Sequence, residues 1–159
     1  MTPNLFRRKI VVPLLDLLRQ GITPEKLAFS IALGITLGVT PVLGSTTMLC
    51  LLAAAVLRLN LPAIQLVNYI VYPLQLALLV PFIRMGEWVF SAPPVLTSVD
   101  QARELIRSGV WTAITILWDA TLHGLVVWLA LGTLASLLLY ALLLPVIRRL
   151  GDSLQREAE

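Results

Sequence analysis

From Lys26 to Arg58 the chain reads KLAFSIALGITLGVTPVLGSTTMLCLLAAAVLR. The thirty-one residues 27–57 carry no formal charge, yet Thr40-Pro41-Val42-Leu43-Gly44-Ser45 interrupts them at the centre. About 20 apolar residues cross a bilayer as a helix. A Pro and a Gly in mid-run split this one into two halves of ~12–14 residues, each roughly 20 Å long at 1.5 Å per residue. Each half is shorter than a hydrocarbon core of ~30 Å. Two geometries fit: a re-entrant helical hairpin over 27–57, entering and leaving on the side of Lys26 and Arg58, or one kinked span. The hairpin is the expectation taken forward. Irregular backbone at that depth needs protein or a water-filled cavity around it.

Outward from this stretch, the composition agrees. Of 159 residues, 58% are apolar and 13% charged, against roughly 25% charged in soluble domains. The expected fold is all-α, a polytopic integral membrane protein with broken helices and amphipathic interfacial helices. The net charge is +3, and its distribution carries more than its sum. Arg7, Arg8, Lys9, Arg19 and Lys26 precede the first apolar run, and Arg148, Arg149 and Arg156 follow the last. Basic residues at span ends mark the cytoplasmic side. Both termini are therefore expected in the cytoplasm of a bacterial inner membrane, with an even number of crossings. The basic N-terminus reads as a topology signal facing anionic lipid, so no nucleic-acid partner is expected.

Residues 1–22 mix apolar and charged positions around Pro13 and read as an amphipathic segment at the inner surface; the alternative is a disordered tail. Asp16 and Arg19 interrupt them, which does not fit a cleaved signal peptide. Residues 23–150 form one membrane domain. Thr23-Pro24 opens a helix, with Thr as cap and Pro in the first turn. Ser30, Gly34 and Gly38 follow at four-residue spacing, a ladder of small side chains that lets another backbone approach. Residues 59–83 form a second uncharged run with Pro73 near its middle, read as a broken crossing. Ser98-Val99-Asp100-Gln101 is a capping box that starts an interfacial helix over 99–118. A final crossing is expected over 122–147, with Trp118, Trp128 and Tyr140 as interfacial anchors, and a polar tail over 151–159.

The pieces Ala28-Phe29-Ser30-Ile31-Ala32-Leu33-Gly34, Gly38-Val39-Thr40-Pro41, Gly44 with Thr46-Thr47, Leu57-Arg58-Leu59-Asn60-Leu61-Pro62-Ala63, Tyr72-Pro73, Pro81 and Gly86 stand in an order that resembles the DUF2062 family of bacterial membrane proteins. The resemblance covers about 40% of the chain, residues 23–86. It departs where that family has Asn before the Pro, here Tyr72, and at Ser45-Thr46, where a Gln beside a small residue is frequent. It implies a helical inner-membrane domain and transfers no activity.

Two constellations offer chemistry. The start of the half-helix after the break presents free N–H groups and the hydroxyls of Ser45, Thr46 and Thr47, a setting that favours anions. Pro41 and Gly44 shape that loop. Tyr72 and Pro73 mark the corresponding break, and Arg58 and Arg84, at the ends of the second run, offer charge-assisted contacts. These nine are the candidate substrate-binding residues, for a lipid phosphate or another anion; the alternative is that the hydroxyls only cap a helix. Asp119 and His123 are four apart on one helical face and form a candidate proton or ion relay; the alternative is a wet cap at the outer interface. Asn60, Asn68 and Gln75 are expected to satisfy one another between helices.

Cys50 is the only cysteine, which excludes an internal disulfide and a multi-cysteine metal site. No Gly-rich phosphate loop, HExxH, CxxC or Gly-x-Ser-x-Gly occurs. No cofactor, metal or enzymatic activity is expected. The leading expectation is transport or flipping of a lipid-linked or anionic small substrate by a homo-oligomer packed through the Ser30/Gly34/Gly38 face. The alternative is a non-catalytic scaffold that anchors envelope-assembly partners.

Overall fold

A computed structural model describes residues 22–95, 107 and 109–156. The fold is all-α. Among the described residues there are five helices: α1 Pro24–Gly38, α2 Thr46–Leu57, α3 Leu61–Ile70, α4 Tyr72–Val89 and α5 Val110–Arg156. Their ends follow from the local sequence. The Thr23 hydroxyl accepts from the Lys26 N–H, and Pro24 sits in the first turn of α1. Asn60 Oδ1 accepts from the Ala63 N–H at 2.7 Å and caps α3, again with a Pro in the first turn. Arg58 closes α2 in the left-handed region, φ 53°, and both its own N–H and that of Leu59 reach back to Ala54 O.

The break after α1 turns the chain back on itself. Leu33 and Leu37 of α1 pack with Cys50, Ala53 and Ala54 of α2 and with Ile64 of α3. The Asn60 N–H, beyond the end of α2, donates to Ser30 Oγ in the second turn of α1. So α1 and α2 are an antiparallel hairpin, not one kinked rod. α3 then climbs beside α1. A Cβ on Gly34 would lie 2.8 Å from Ile64 O, and one on Gly38 would lie 3.3 Å from the Asn68 Cα and closer still to the Val71 side chain. The ladder of small residues is thus filled by α3 of the same chain. It offers no free face for a second copy, which corrects the expected route to a homo-oligomer.

The run 59–83 does not form one rod. α3 and α4 meet at Val71 with a bend of 66°. Pro73 is the cause, since it has no N–H for Tyr69 O and its ring would strike that carbonyl. The break falls two residues ahead of Pro73, which sits in the first turn of α4. Pro81 and Pro145 lie inside α4 and α5 without ending either helix.

α5 is the spine. The interfacial helix 99–118 and the crossing 122–147 are one continuous helix from Val110 onward, and residues 99–106 lie outside the described residues. Asp119 and His123 do not interrupt it, because polar side chains on the outside of a helix leave the backbone ladder intact. The helix also continues through most of 151–159, to Arg156. The amphipathic segment expected over 1–22 lies outside the described residues except Ile22.

α1 and α4 run antiparallel to α5 and are stacked end to end along it. Leu27 and Ala28 share a core with Ile147, Phe29 meets Tyr140 edge to face at 5.7 Å, and Gly86 and Ile83 approach Gly124. Trp128, expected as an interfacial anchor, is instead inside the bundle, 6% exposed and donating through Nε1 to Thr36 O at 3.1 Å, while Tyr140 is half-buried against Phe29. Trp118 is exposed.

One described helix is long and apolar enough to cross a membrane, within Thr115–Asp152, and α3 with α4 pass that test only as a bent pair. Large apolar side chains cover the outside, among them Leu52, Val56, Leu134, Leu137, Leu138 and Leu142.

Charges gather at the two ends. At one end Arg148 Nε and Nη2 both donate to Glu25 Oε1, at 3.0 and 2.8 Å. These bonds hold the Glu25 carboxyl below its ordinary value of 4.5. A lowered carboxyl stabilises the folded chain above that value, and the contribution fades as pH falls through the lower folded one. Both side chains are about half exposed, so the effect is small. The thermal midpoint of Glu25→Gln should lie slightly below that of the parent at pH 7, and the two should converge as pH is taken below 4.5.

Candidate functional site

Two of the bundle's interruptions, the α1–α2 turn and the α3–α4 bend, lie in one layer. α1 ends at Gly38, α2 begins at Thr46, and the α3–α4 bend is at Val71, against which Gly38 rests. The last four carbonyls of a helix have no partner within it, and here other elements supply donors. Thr36 O takes the Trp128 indole N–H. Leu37 O takes the N–H groups of Val39 and Thr40 and, at 2.6 Å, the Thr40 hydroxyl. Thr40 O takes Gln75 Nε2 at 2.9 Å, which joins the first turn of α4 to the loop between α1 and α2.

The other half of that loop is left open. Thr40 and Pro41 are buried, whereas Leu43 and Gly44 are exposed. Gly44 has φ +82° and nothing within 4 Å of a built Cβ, so it is there for backbone conformation and not for space. Ser45 stands at the cap position of α2 in the right-handed α region, and its hydroxyl turns back to Val42 O at 2.8 Å. No side chain caps α2. Among the described residues the N–H groups of Thr46, Thr47 and Met48 have no acceptor. Thr46 is buried and Thr47 exposed.

The structure therefore gathers Pro41, Gly44, Ser45, Thr46 and Thr47, with Tyr72 and Pro73 joined to them through Gln75. It does not bring the two cations there. Arg58 is at the far end of α2, about 18 Å away along a 12-residue helix. Arg84 is three turns along α4 and pairs with Glu87 Oε2 at 3.0 Å. Glu87 is 5% exposed and also takes the Val95 N–H at 2.8 Å, so this pair ties down the chain after α4.

Asp119 and His123 do share one face of α5. Asp119 is exposed, and the half-buried His123 ring stacks on Phe90 at 4.6 Å. Together with Glu87, Pro93 and Val95 they border a pocket of about 230 Å³ at the end of the bundle away from Glu25 and Arg148. No group of three or more His, Cys, Asp or Glu among the described residues is arranged to hold a metal. Asn60, Asn68 and Gln75 do not satisfy one another: Asn60 caps α3, Asn68 Nδ2 donates to Gln65 Oε1 at 3.3 Å, and Gln75 binds Thr40 O.

Beside the layer of breaks, α1, α4 and α5 leave an apolar groove of about 380 Å³, with Val39, Leu74, Leu78, Phe82, Leu131 and Leu139 in its walls. A second groove, about 310 Å³, lies across the contact of Thr36 with Trp128 and Gly132. Sequence reasoning missed the roles of Trp128, Gln75 and Glu87. A Gln two residues after Pro73 in an uncharged run was the signal available for Gln75.

These features define a helical protein on one long apolar spine, with the α1–α2 turn and the α3–α4 bend gathered in a single layer. The chain belongs to the DUF2062 family, described as uncharacterized protein conserved in bacteria, whose family model matches residues 8–153. That match extends well beyond the stretch 23–86 that carried the resemblance. No curated protein and no solved structure matches the chain.

Proposed function

We propose that the protein lies in the bacterial inner membrane and moves a lipid-linked or other anionic small substrate past the layer of helix breaks. The observation that carries this reading is the uncapped start of α2, with the N–H groups of Thr46, Thr47 and Met48 unpaired beside an exposed turn. Unpaired N–H groups at a helix start favour a phosphate or carboxylate, and broken helices at mid-depth are how repeat-built transporters make their sites.

In this reading Lys26, Arg58, Arg148 and Arg149 face the cytoplasm. α1 and α2 enter and leave on that side as a re-entrant hairpin. α3 and α4 cross as a bent pair, and α5 returns. No Asp, Glu, Lys or Arg occurs in α5 between Asp119 and Arg148, a rise of about 43 Å, which suits a ~30 Å core with tilt. The groove of about 380 Å³ starts beside the same layer and would take the hydrocarbon part of a lipid-linked substrate.

The test is flux in reconstituted vesicles loaded with labelled phospholipid or polyprenyl phosphate. The parent protein should move label between leaflets faster than empty vesicles. Ser45→Ala with Thr46→Ala should reduce that rate about tenfold while the thermal midpoint stays within a few degrees. Parent flux equal to that of empty vesicles would remove transport and favour the scaffold reading.

A further inference from the structure

Gln75 is 1% exposed, and its amide is held at one end only. Nε2 donates to Thr40 O at 2.9 Å. Oε1 is enclosed and has no donor; among the described residues it is the buried side-chain nitrogen or oxygen left without a partner. Amide orientation is set by the hydrogen-bond network, and here turning the amide over would place its oxygen against Thr40 O. The orientation is therefore fixed, and the orphan acceptor does not vanish on reassignment.

Neighbouring groups do not fill the gap. The Thr40 hydroxyl is committed to Leu37 O, and among the described residues no donor lies within hydrogen-bond reach of Oε1. Buried polar atoms in native proteins are almost always paired, with protein or with ordered water. In apolar surroundings an unpaired amide oxygen is disfavoured more strongly still.

We infer that Gln75 Oε1 is the acceptor of a small polar site, formed with Thr40 at the junction of α1, α3 and α4, that takes an O–H donor from outside the protein. Water and the hydroxyl of a polyol headgroup offer the same chemistry. Gln75 supplies the acceptor and Thr40 fixes it; Gln75 is a binding residue and not a catalytic one. The site stands independently of whether anything is transported: it asks only that a hydroxyl reach the layer of breaks.

The full chain in lipid nanodiscs, labelled with ¹⁵N, tests this. Gln75→Met identifies the two side-chain N–H signals by their loss. In the parent those signals should show a cross-peak to bound water. Titrated glycerol should either displace that cross-peak, assigning the site to polyol hydroxyls, or leave it unchanged, assigning it to water. Gln75 signals with no cross-peak to water or to glycerol would overturn the inference. Bound water at Gln75 without lipid movement in the vesicle assay would keep this site and remove the proposed transport.

Discussion

Gly86→Ala is expected to loosen the crossing of α4 and α5 more than a methyl added at any other described glycine loosens its own surroundings. A Cβ at Gly86 would lie 2.5 Å from the Gly124 nitrogen, 2.5 Å from the His123 carbonyl carbon and 2.7 Å from its oxygen. All three are backbone atoms of α5, so no side chain can rotate aside. The two helices would have to separate, and the Phe90–His123 stack and the Glu87 anchor of the following chain sit at that same crossing. Overpacking of this kind costs about 1–3 kcal/mol and occasionally more. We expect about 3 kcal/mol, a fall in thermal midpoint of roughly 10 °C for a chain of this size. Gly44→Ala is the control. It meets nothing within 4 Å, and only its φ of +82° is strained, so its cost should be about 1 kcal/mol. Thermal unfolding in detergent, read side by side, checks the order. A midpoint for Gly86→Ala at or above that of Gly44→Ala would mean the two backbones do not cross this closely.

The hairpin was legible because its signals are local. Thr23-Pro24 starts α1, the Pro41–Ser45 loop ends it, and Thr46 begins α2, all in agreement with the structure. Local signals also placed Pro73 at a break, but the bend of 66° at Val71 depends on which carbonyl the Pro ring would strike. The join of the two C-terminal segments was not legible. Asp119 and His123 look like an end in a hydropathy pattern, yet α5 passes through them because one side of that turn faces Ala120 and Gly124 toward α4. Pairings across the chain left no local trace. Thr36 with Trp128 and Thr40 with Gln75 are separated by 92 and 35 positions. The candidate anion site shows both sides of this. The free N–H groups of α2 could be expected from a helix start, whereas the distances of Arg58 and Arg84 from it needed the path of α2 and α4.

Trp128→Ala should be the most damaging truncation in the lower half. Trp128 is 6% exposed and fits beside Gly132, whose built Cβ would stand 3.5 Å from the indole ring. Removing the indole leaves a cavity between α1 and α5 next to grooves of about 380 and 310 Å³ that already thin the packing there. A buried Trp or Phe cut to Ala costs about 3–5 kcal/mol. The indole N–H is also the donor to Thr36 O at the end of α1, and a stranded carbonyl adds about 1–3 kcal/mol. Trp128→Phe separates the two effects: it keeps most of the volume and removes only the donor, for an expected loss of about 1–2 kcal/mol. Because Thr36 O belongs to the layer of helix breaks, Trp128→Phe should also speed amide hydrogen exchange at Val39 and Thr40, next to the turn, while exchange in the Phe29–Tyr140 contact region stays unchanged. If Trp128→Phe were as stable as the parent and exchange at Val39 and Thr40 did not move, the indole would be a filler of space and not the strut that holds the end of α1 to the spine.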